Sequence, residues 1–297
     1  MSAFERLLDP DSPLAQSMFF LARRFVAGES PSQAVAIARE LNASGMSATL
    51  DFLGESVTVR ADAERTRAAY IELIDLMRSS GVRANCSLKL SAIGLAIDES
   101  YAYENLCAIL DAATSLEDTF VRIDMEGSGT VDATLRTFER AYRAGATVGP
   151  VLQAYLKRTP QDLQRAIELG ARVRLCKGAY DEPPLLAYRD MPTIQREYLR
   201  LAEALLDRGT YPGIATHDER LIRAVRVHAA ERGIANDRFE FQLLYGVRPD
   251  VQRALVADGY RVRVYVPYGT HWARYFYRRI AERKENALFA LRSVVAS

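Results

Sequence analysis

Along this chain, short apolar runs alternate with longer stretches in which apolar positions recur every three or four residues. The runs at 47–53, 85–90, 119–125, 148–154, 171–177, 212–217, 238–244 and 260–266 read as strands, and a helical pattern follows each. Their starts lie about thirty residues apart, the size of a βα unit. Gly45, Gly81, Gly145, Gly170, Gly209, Gly233 and Gly259 each close a helical stretch, where glycine suits the left-handed position past the last turn. Thr159-Pro160 and Arg248-Pro249 place proline in a first helical turn, and Asp62, Asp132 and Asp218 are placed to accept N–H groups at helix starts. Strands alternating with helices imply a parallel sheet. Repeated eight times, they imply an α/β fold of the (β/α)8 TIM-barrel type. Residues 1–45 remain as extra N-terminal helices, residues 46–297 form the barrel with a final helix over its C-terminal mouth, and 1–297 reads as a single domain. A doubly wound open sheet is the alternative.

Alternation inside the strands adds a second expectation. Arg122 and Asp124 share one phase of the third strand, Glu240 and Gln242 one phase of the seventh, Arg261, Arg263 and Tyr265 one phase of the eighth, and Asn85, Ser87 and Lys89 one phase of the second. The apolar phase belongs against the surrounding helices, so the polar phase points into the barrel. A buried charge needs a partner, and Glu240 is expected to pair with Arg122 or Arg263. The strand ends are polar throughout: Asp51, Lys89, Asp124, Gln153, Arg174 with Lys177, Thr216 with His217, Gln242 and Tyr265. In a barrel of this kind the site forms at that mouth.

Composition narrows the chemistry. The formal net charge is +1 and there are three cysteines, Cys86, Cys107 and Cys176. Neither a nucleic-acid field nor a disulfide framework follows. No stretch has the length of a spanning helix or the form of a signal peptide, so the expectation is a cytoplasmic protein with at most peripheral contact at the inner membrane face. Glycine-rich phosphate loops, H-E-x-x-H and G-x-S-x-G are missing, and the three histidines lack ligand spacing, so no metal is expected. A last constellation lies at Tyr275, Arg278, Arg279 and Glu282, which share roughly one helical face. Two guanidiniums beside a tyrosine suit a carboxylate, although an exposed ion-paired helix has the same pattern. On the residues alone, Lys89 or Lys177 could instead serve as the amine nucleophile of a Schiff-base lyase, or the barrel could bind a small acid without catalysis.

The segments Ser87-Leu88-Lys89-Leu90-Ser91, Ile123-Asp124-Met125-Glu126, Arg174-Leu175-Cys176-Lys177-Gly178-Ala179-Tyr180, Ala215-Thr216-His217-Asp218, Phe241-Gln242-Leu243-Leu244-Tyr245-Gly246 and Tyr275-x-x-Arg278-Arg279-x-x-Glu282 together resemble proline dehydrogenase. The resemblance runs from about residue 47 to 290. It implies an FAD-dependent barrel that oxidises L-proline to Δ1-pyrroline-5-carboxylate, the first step of proline catabolism, by hydride transfer from C5 to the flavin N5, with electrons passed to a quinone. It also implies roles. Arg174 and Gln153 would meet the isoalloxazine. Lys177, Gly178, Ala179 and Tyr180, with Thr216, His217, Gln242 and Glu282, would line the cofactor. Lys89, Arg278 and Arg279 would grip the substrate carboxylate, and Leu244, Tyr265 and Tyr275 would enclose the ring. Asp124 would orient Lys89 and the arginines, and Glu55 would pair with Arg278. Catalysis would rest on Lys89, Asp124, Arg174 and Tyr265.

Overall fold

The structure, a computed structural model, describes residues 22–273 and 275. Within them the chain forms helix α1 (Pro31–Ala43), strand β1 (Ser47–Phe52), α2 (Arg60–Ser80), β2 (Ala84–Leu88), α3 (Glu99–Ala113), β3 (Val121–Ile123), α4 (Val131–Arg143), β4 (Val148–Gln153), α5 (Thr159–Glu168), β5 (Arg174–Cys176), α6 (Met191–Arg208), β6 (Gly213–Ala215), α7 (Glu219–Glu231), β7 (Glu240–Leu244), α8 (Pro249–Ala257) and β8 (Arg261–Tyr268). Neighbouring strands pair in parallel, in sequence order, into a closed barrel. Closure comes from β1 against β8, in register from Ser47 opposite Arg263 to Phe52 opposite Tyr268. That pairing excludes the open sheet. All eight expected strands are present, but β3, β5 and β6 keep only three paired residues each.

The helix ends show what each punctuating residue does. Ser30 caps α1 in a reciprocal box with Gln33, whose side-chain oxygen accepts from Ser30 N at 3.0 Å. Gly81 ends α2 in the left-handed region at φ 62°, as expected. Gly209 does not: its φ is −83° and its backbone is extended. Glycine is needed there for closeness, because a Cβ would lie 2.6 Å from the Leu205 carbonyl oxygen. Asp218 caps α7, accepting from Arg220 N at 3.1 Å. Asp62 and Asp132 cap nothing. They sit inside the first turns of α2 and α4, where a negative charge still favours the helix dipole.

Two layers follow from the alternation. Outside the sheet, residues such as Leu50, Leu88, Ile74, Ile109, Phe138 and Leu201 are fully or almost fully buried between strands and helices, each stabilising the fold by about 1.5–3 kcal/mol. Inside, the barrel is polar, as its alternation predicts. Arg263 donates from Nε to Glu240 Oε1 at 2.8 Å, from Nη2 to Asp118 at 3.1 Å and from Nη1 to the Ala48 carbonyl at 2.9 Å. Asn85 joins Asp118 at 3.1 Å and accepts from Thr49 at 2.7 Å. Glu240 therefore takes Arg263 as its partner. Arg122 instead donates to the carbonyls of Pro150, at 3.0 Å, and of Arg172, and lies over the Phe120 ring at 4.5 Å.

Candidate active site

The site is assembled where the inward phase of the strands reaches the C-terminal mouth. Asp51 lies near the end of β1 opposite Ser87 of β2. Lys89 lies two residues beyond Ser87 and so shares its face. Its ammonium donates to both Asp51 oxygens at 3.1 Å and stands 4.0 Å from Asp124 Oδ2. Asp51 is completely buried. Burial opposes charge on both members of this pair, pushing the Asp51 carboxyl above its usual range. For Lys89 that opposing effect is outweighed by Asp51 and then Asp124, which hold the ammonium well above the ordinary lysine value. Lys89 is a fixed cation, and that removes the amine nucleophile a Schiff-base lyase would need from this position.

Asp124, just past β3, is the hub. It accepts from Ser87 Oγ at 2.7 Å, from Arg174 Nη1 at 2.8 Å and from Tyr265 OH at 2.8 Å. Arg174 also reaches Ser87 Oγ at 3.1 Å, donates from Nε to Gln242 Oε1, and lies 5.2 Å over the Tyr265 ring. Burial, then Asp124 and Asp51, raise the Tyr265 phenol far above its ordinary value, so it stays a donor. Arg174 opens β5, level with Gly213 of β6 and Glu240 of β7. It rises to the mouth from the layer below, whereas Lys177 lies beyond the strand end.

The β4–β6 side is built differently. Gln153 is buried and donates to the Glu126 carbonyl at 3.0 Å. Lys177 pairs with Asp218 at 2.7 Å, and Gln195 donates to the same carboxylate oxygen at 2.7 Å. Burial pushes the Asp218 carboxyl up, but Lys177 and Gln195 outweigh it and hold the group below its usual range. Thr216 Oγ1 accepts from Asp218 N at 3.1 Å, and His217 Nε2 accepts from Leu244 N at 2.9 Å, which ties the ends of β6 and β7 together. Gly178 has φ 117°, and a Cβ there would lie 2.1 Å from the Tyr155 ring. The glycine is thus demanded by Tyr155. Ala179 is exposed, while Tyr180, Leu244 and Glu55 are half-buried.

The structure therefore brings Lys89, Asp124, Arg174, Tyr265 and Gln242 into one contiguous cluster and lines the adjacent rim with Gln153, Lys177, Thr216 and His217. Tyr275 is buried with Ala22, Val26, Leu53, Trp272 and Ala273. Arg278, Arg279 and Glu282 lie outside the described residues, as does most of the expected final helix. Three site residues that the sequence places at or near the mouth receive no role from it. Asp51 is the principal partner of Lys89, a place given to Asp124. Ser87 bridges Arg174 and Asp124. Glu126, buried just past β3, accepts from the backbone N–H of Ser91 at 3.2 Å. The inward phase of Asp51 and Ser87 was the available signal.

The mouth beside β4, β5 and β6 carries the Arg174 and Lys177 cations, the Gln153 amide and the Thr216 hydroxyl. That donor set fits a flavin, whose ring edge accepts hydrogen bonds and whose diphosphate is anionic. Among the described residues, no helix is long and apolar enough to cross a membrane.

Comparison with known proteins agrees with this geometry. The family model described as proline dehydrogenase matches residues 34–292. The chain is 40% identical over 285 residues to proline dehydrogenase of Deinococcus radiodurans, covering 94% of this chain and 92% of that one. It is 39% identical over 274 residues to proline dehydrogenase 1 of Bacillus subtilis subsp. natto, covering 92% and 90%. Among solved structures, proline utilization A from Bdellovibrio bacteriovorus, inactivated by N-propargylglycine, superposes with a TM-score of 0.85 at 24% identity, covering 92% of this chain and 34% of that longer one, a likeness of fold. The chain belongs to the proline dehydrogenase family, flavoenzymes of proline catabolism that oxidise proline to Δ1-pyrroline-5-carboxylate.

Proposed function

We propose that this chain uses FAD, and that the two sides of its mouth divide the work of holding substrate and cofactor. The observation that carries this reading is the buried cluster in which Lys89 stands between Asp51 and Asp124 while Arg174 and Tyr265 converge on Asp124. Lys89 holds the carboxylate of L-proline, with Arg278 and Arg279 completing the grip. Leu244, Tyr265 and Tyr275 enclose the pyrrolidine ring, and Glu55 orients Arg278. Asp124 fixes Lys89, Arg174 and Tyr265 in one arrangement, which is where a preorganised site gains most of its rate.

Arg174 and Gln153 face the isoalloxazine ring, and Lys177, Gly178, Ala179, Tyr180, Thr216, His217, Gln242 and Glu282 line the rest of the cofactor. When bound, FAD would supply the acceptor for a hydride from proline C5, while these residues hold and orient the two reactants. Loss of that hydride and of the ring-nitrogen proton leaves a C=N double bond, which is the bond that distinguishes the product. We assign a quinone as the onward electron acceptor, and a peripheral contact with the membrane that supplies it, on the family resemblance.

Anaerobic addition of L-proline to the flavin-loaded protein tests the reading. The yellow flavin band should bleach in proportion to proline added, and borohydride should trap no lysine adduct. A band unchanged by proline, or a borohydride-stable adduct at Lys89, would overturn it.

A further inference from the structure

Beneath the mouth lies a group that the reaction itself does not use. Glu240 opens β7 and is 4% exposed, with no route to a substrate at the mouth except through other side chains. Its Oε1 accepts from Arg263 Nε at 2.8 Å and from Gln242 Nε2 at 2.5 Å, and its Oε2 accepts from Tyr211 OH at 3.2 Å. Gln242 spends the other end of its amide on Arg174, whose Nε donates to Oε1. Arg174 then carries on to Asp124 and Ser87.

The direction of these bonds matters. A guanidinium only donates and an ionised carboxylate only accepts. Gln242 lies between one of each, so both neighbours demand the same amide orientation: oxygen toward Arg174, nitrogen toward Glu240. Burial pushes the Glu240 carboxyl up, but Arg263 and Gln242 outweigh it and hold the group below its usual range, which keeps it an acceptor. The backbone also makes room for the amide. A Cβ on Gly213 of β6 would lie 2.5 Å from Gln242 Nε2, so a side chain at that position would displace it.

We propose that Glu240 is a positioning residue for Arg174, acting through the Gln242 amide whose orientation it fixes. This rests on the reading of Arg174 as the cation beside the flavin ring, and it extends the functional unit one layer below the mouth. The competing role for Glu240 is simple neutralisation of Arg263, in which case Gln242 is a spacer.

Two variants separate these roles, each read by proline kinetics and by the flavin midpoint potential measured with a chemical reductant. Gln242→Met leaves the Glu240–Arg263 pair intact and removes the link to Arg174 together with the contact of Gln242 itself with the cofactor, so exchanging the two residues is what assigns the effect to Glu240. Gln242→Met should lower kcat about tenfold with KM for proline changed less than about twofold, as expected for a displaced group near the reacting atoms. The midpoint potential should move to a more negative value, because a misaligned cation stabilises the reduced flavin less. Glu240→Gln should shift both in the same direction but by less, since the Gln242 amide then donates to a neutral amide oxygen and loses a charge-assisted hydrogen bond. In Glu240→Gln/Gln242→Glu a carboxylate faces Arg174 and an amide faces Arg263, and kcat should recover to within about threefold of the parent. A wild-type kcat and an unshifted potential in Gln242→Met would overturn the proposal, even if Glu240→Gln fails to fold. Because the potential is measured without proline, a shift in Gln242→Met with no reduction of the parent by proline would contradict the substrate reading and leave the positioning role standing.

Discussion

The two sides of the barrel mouth are built on different electrostatic plans. Around β1, β2, β3 and β8, a lysine, two aspartates, a serine and a tyrosine, joined by Arg174, interlock within hydrogen-bond reach, and Asp51 and Ser87 are wholly buried. Around β4, β5 and β6 the polar groups are spread along the rim, and one ion pair, Lys177 with Asp218, stands at the start of α7. A small zwitterion offers one carboxylate and one amine, so a tight and rigid charge pattern suits it. A long cofactor with a ring and a diphosphate needs contacts distributed over many residues. The contrast teaches that Lys89 and Lys177, alike in type and in position past a strand end, differ in the depth of the carboxylate that holds each, wholly buried for Asp51 and partly exposed for Asp218, which is the basis for proposing different roles.

Breaking the dense side has the largest expected effect. Asp124→Asn retains the volume but places an amide N–H among groups that donate to it, Ser87, Arg174 and Tyr265, and removes the charge beside the Lys89 ammonium. The loss in kcat/KM for proline should be about a hundredfold, since a shift of one ångström in the aligned groups costs that much. Steady-state kinetics on the flavin-loaded variant checks this, and the flavin content should stay near that of the parent.

Next in size is the stability carried by Lys89. Lys89→Met strands Asp51, buried beside Asp124, and should cost about 3–5 kcal/mol in denaturant unfolding. The pH dependence has a definite sign. The folded pKa of Lys89 is raised above its unfolded value of about 10.4, so the contribution is fully present below that value and is lost only as pH rises through the folded one. The gap between parent and variant should therefore narrow in strong alkali as Lys89 loses its proton, and it should also narrow toward low pH as the stranded Asp51, already pushed up by burial, takes one up.

The barrel was legible because its signals repeat. Eight short apolar runs recur about every thirty residues, and glycine or proline separates the units. The polar interior was legible because Glu240, Gln242, Arg263 and Tyr265 share a phase with their apolar neighbours facing outward. Which partner each charge takes was not legible. The choice of Asp51 by Lys89 depends on the β1–β2 register, which sets Asp51 opposite Ser87 and places it within reach of the residue two further on. The preference of Glu240 for Arg263 over Arg122 depends on the Arg172 and Pro150 carbonyls that engage Arg122. Likewise Gly178 reads as a cofactor-side glycine, yet its need is set by Tyr155 across the β4–β5 exit. Such facts lie in three-dimensional proximity between residues that are distant in sequence.

The division of the mouth is tested most directly by one crossed binding measurement. The dissociation constant of a non-oxidisable five-membered cyclic carboxylate, together with flavin retention on dialysis, should be determined for Lys89→Met and for Lys177→Met. The account predicts that Lys89→Met weakens the carboxylate at least tenfold, the loss of a charge-assisted hydrogen bond, while retaining flavin, and that Lys177→Met loses flavin while the molecules still loaded bind the carboxylate as the parent does. Equal weakening of carboxylate binding by both substitutions, or flavin loss from Lys89→Met alone, would contradict it.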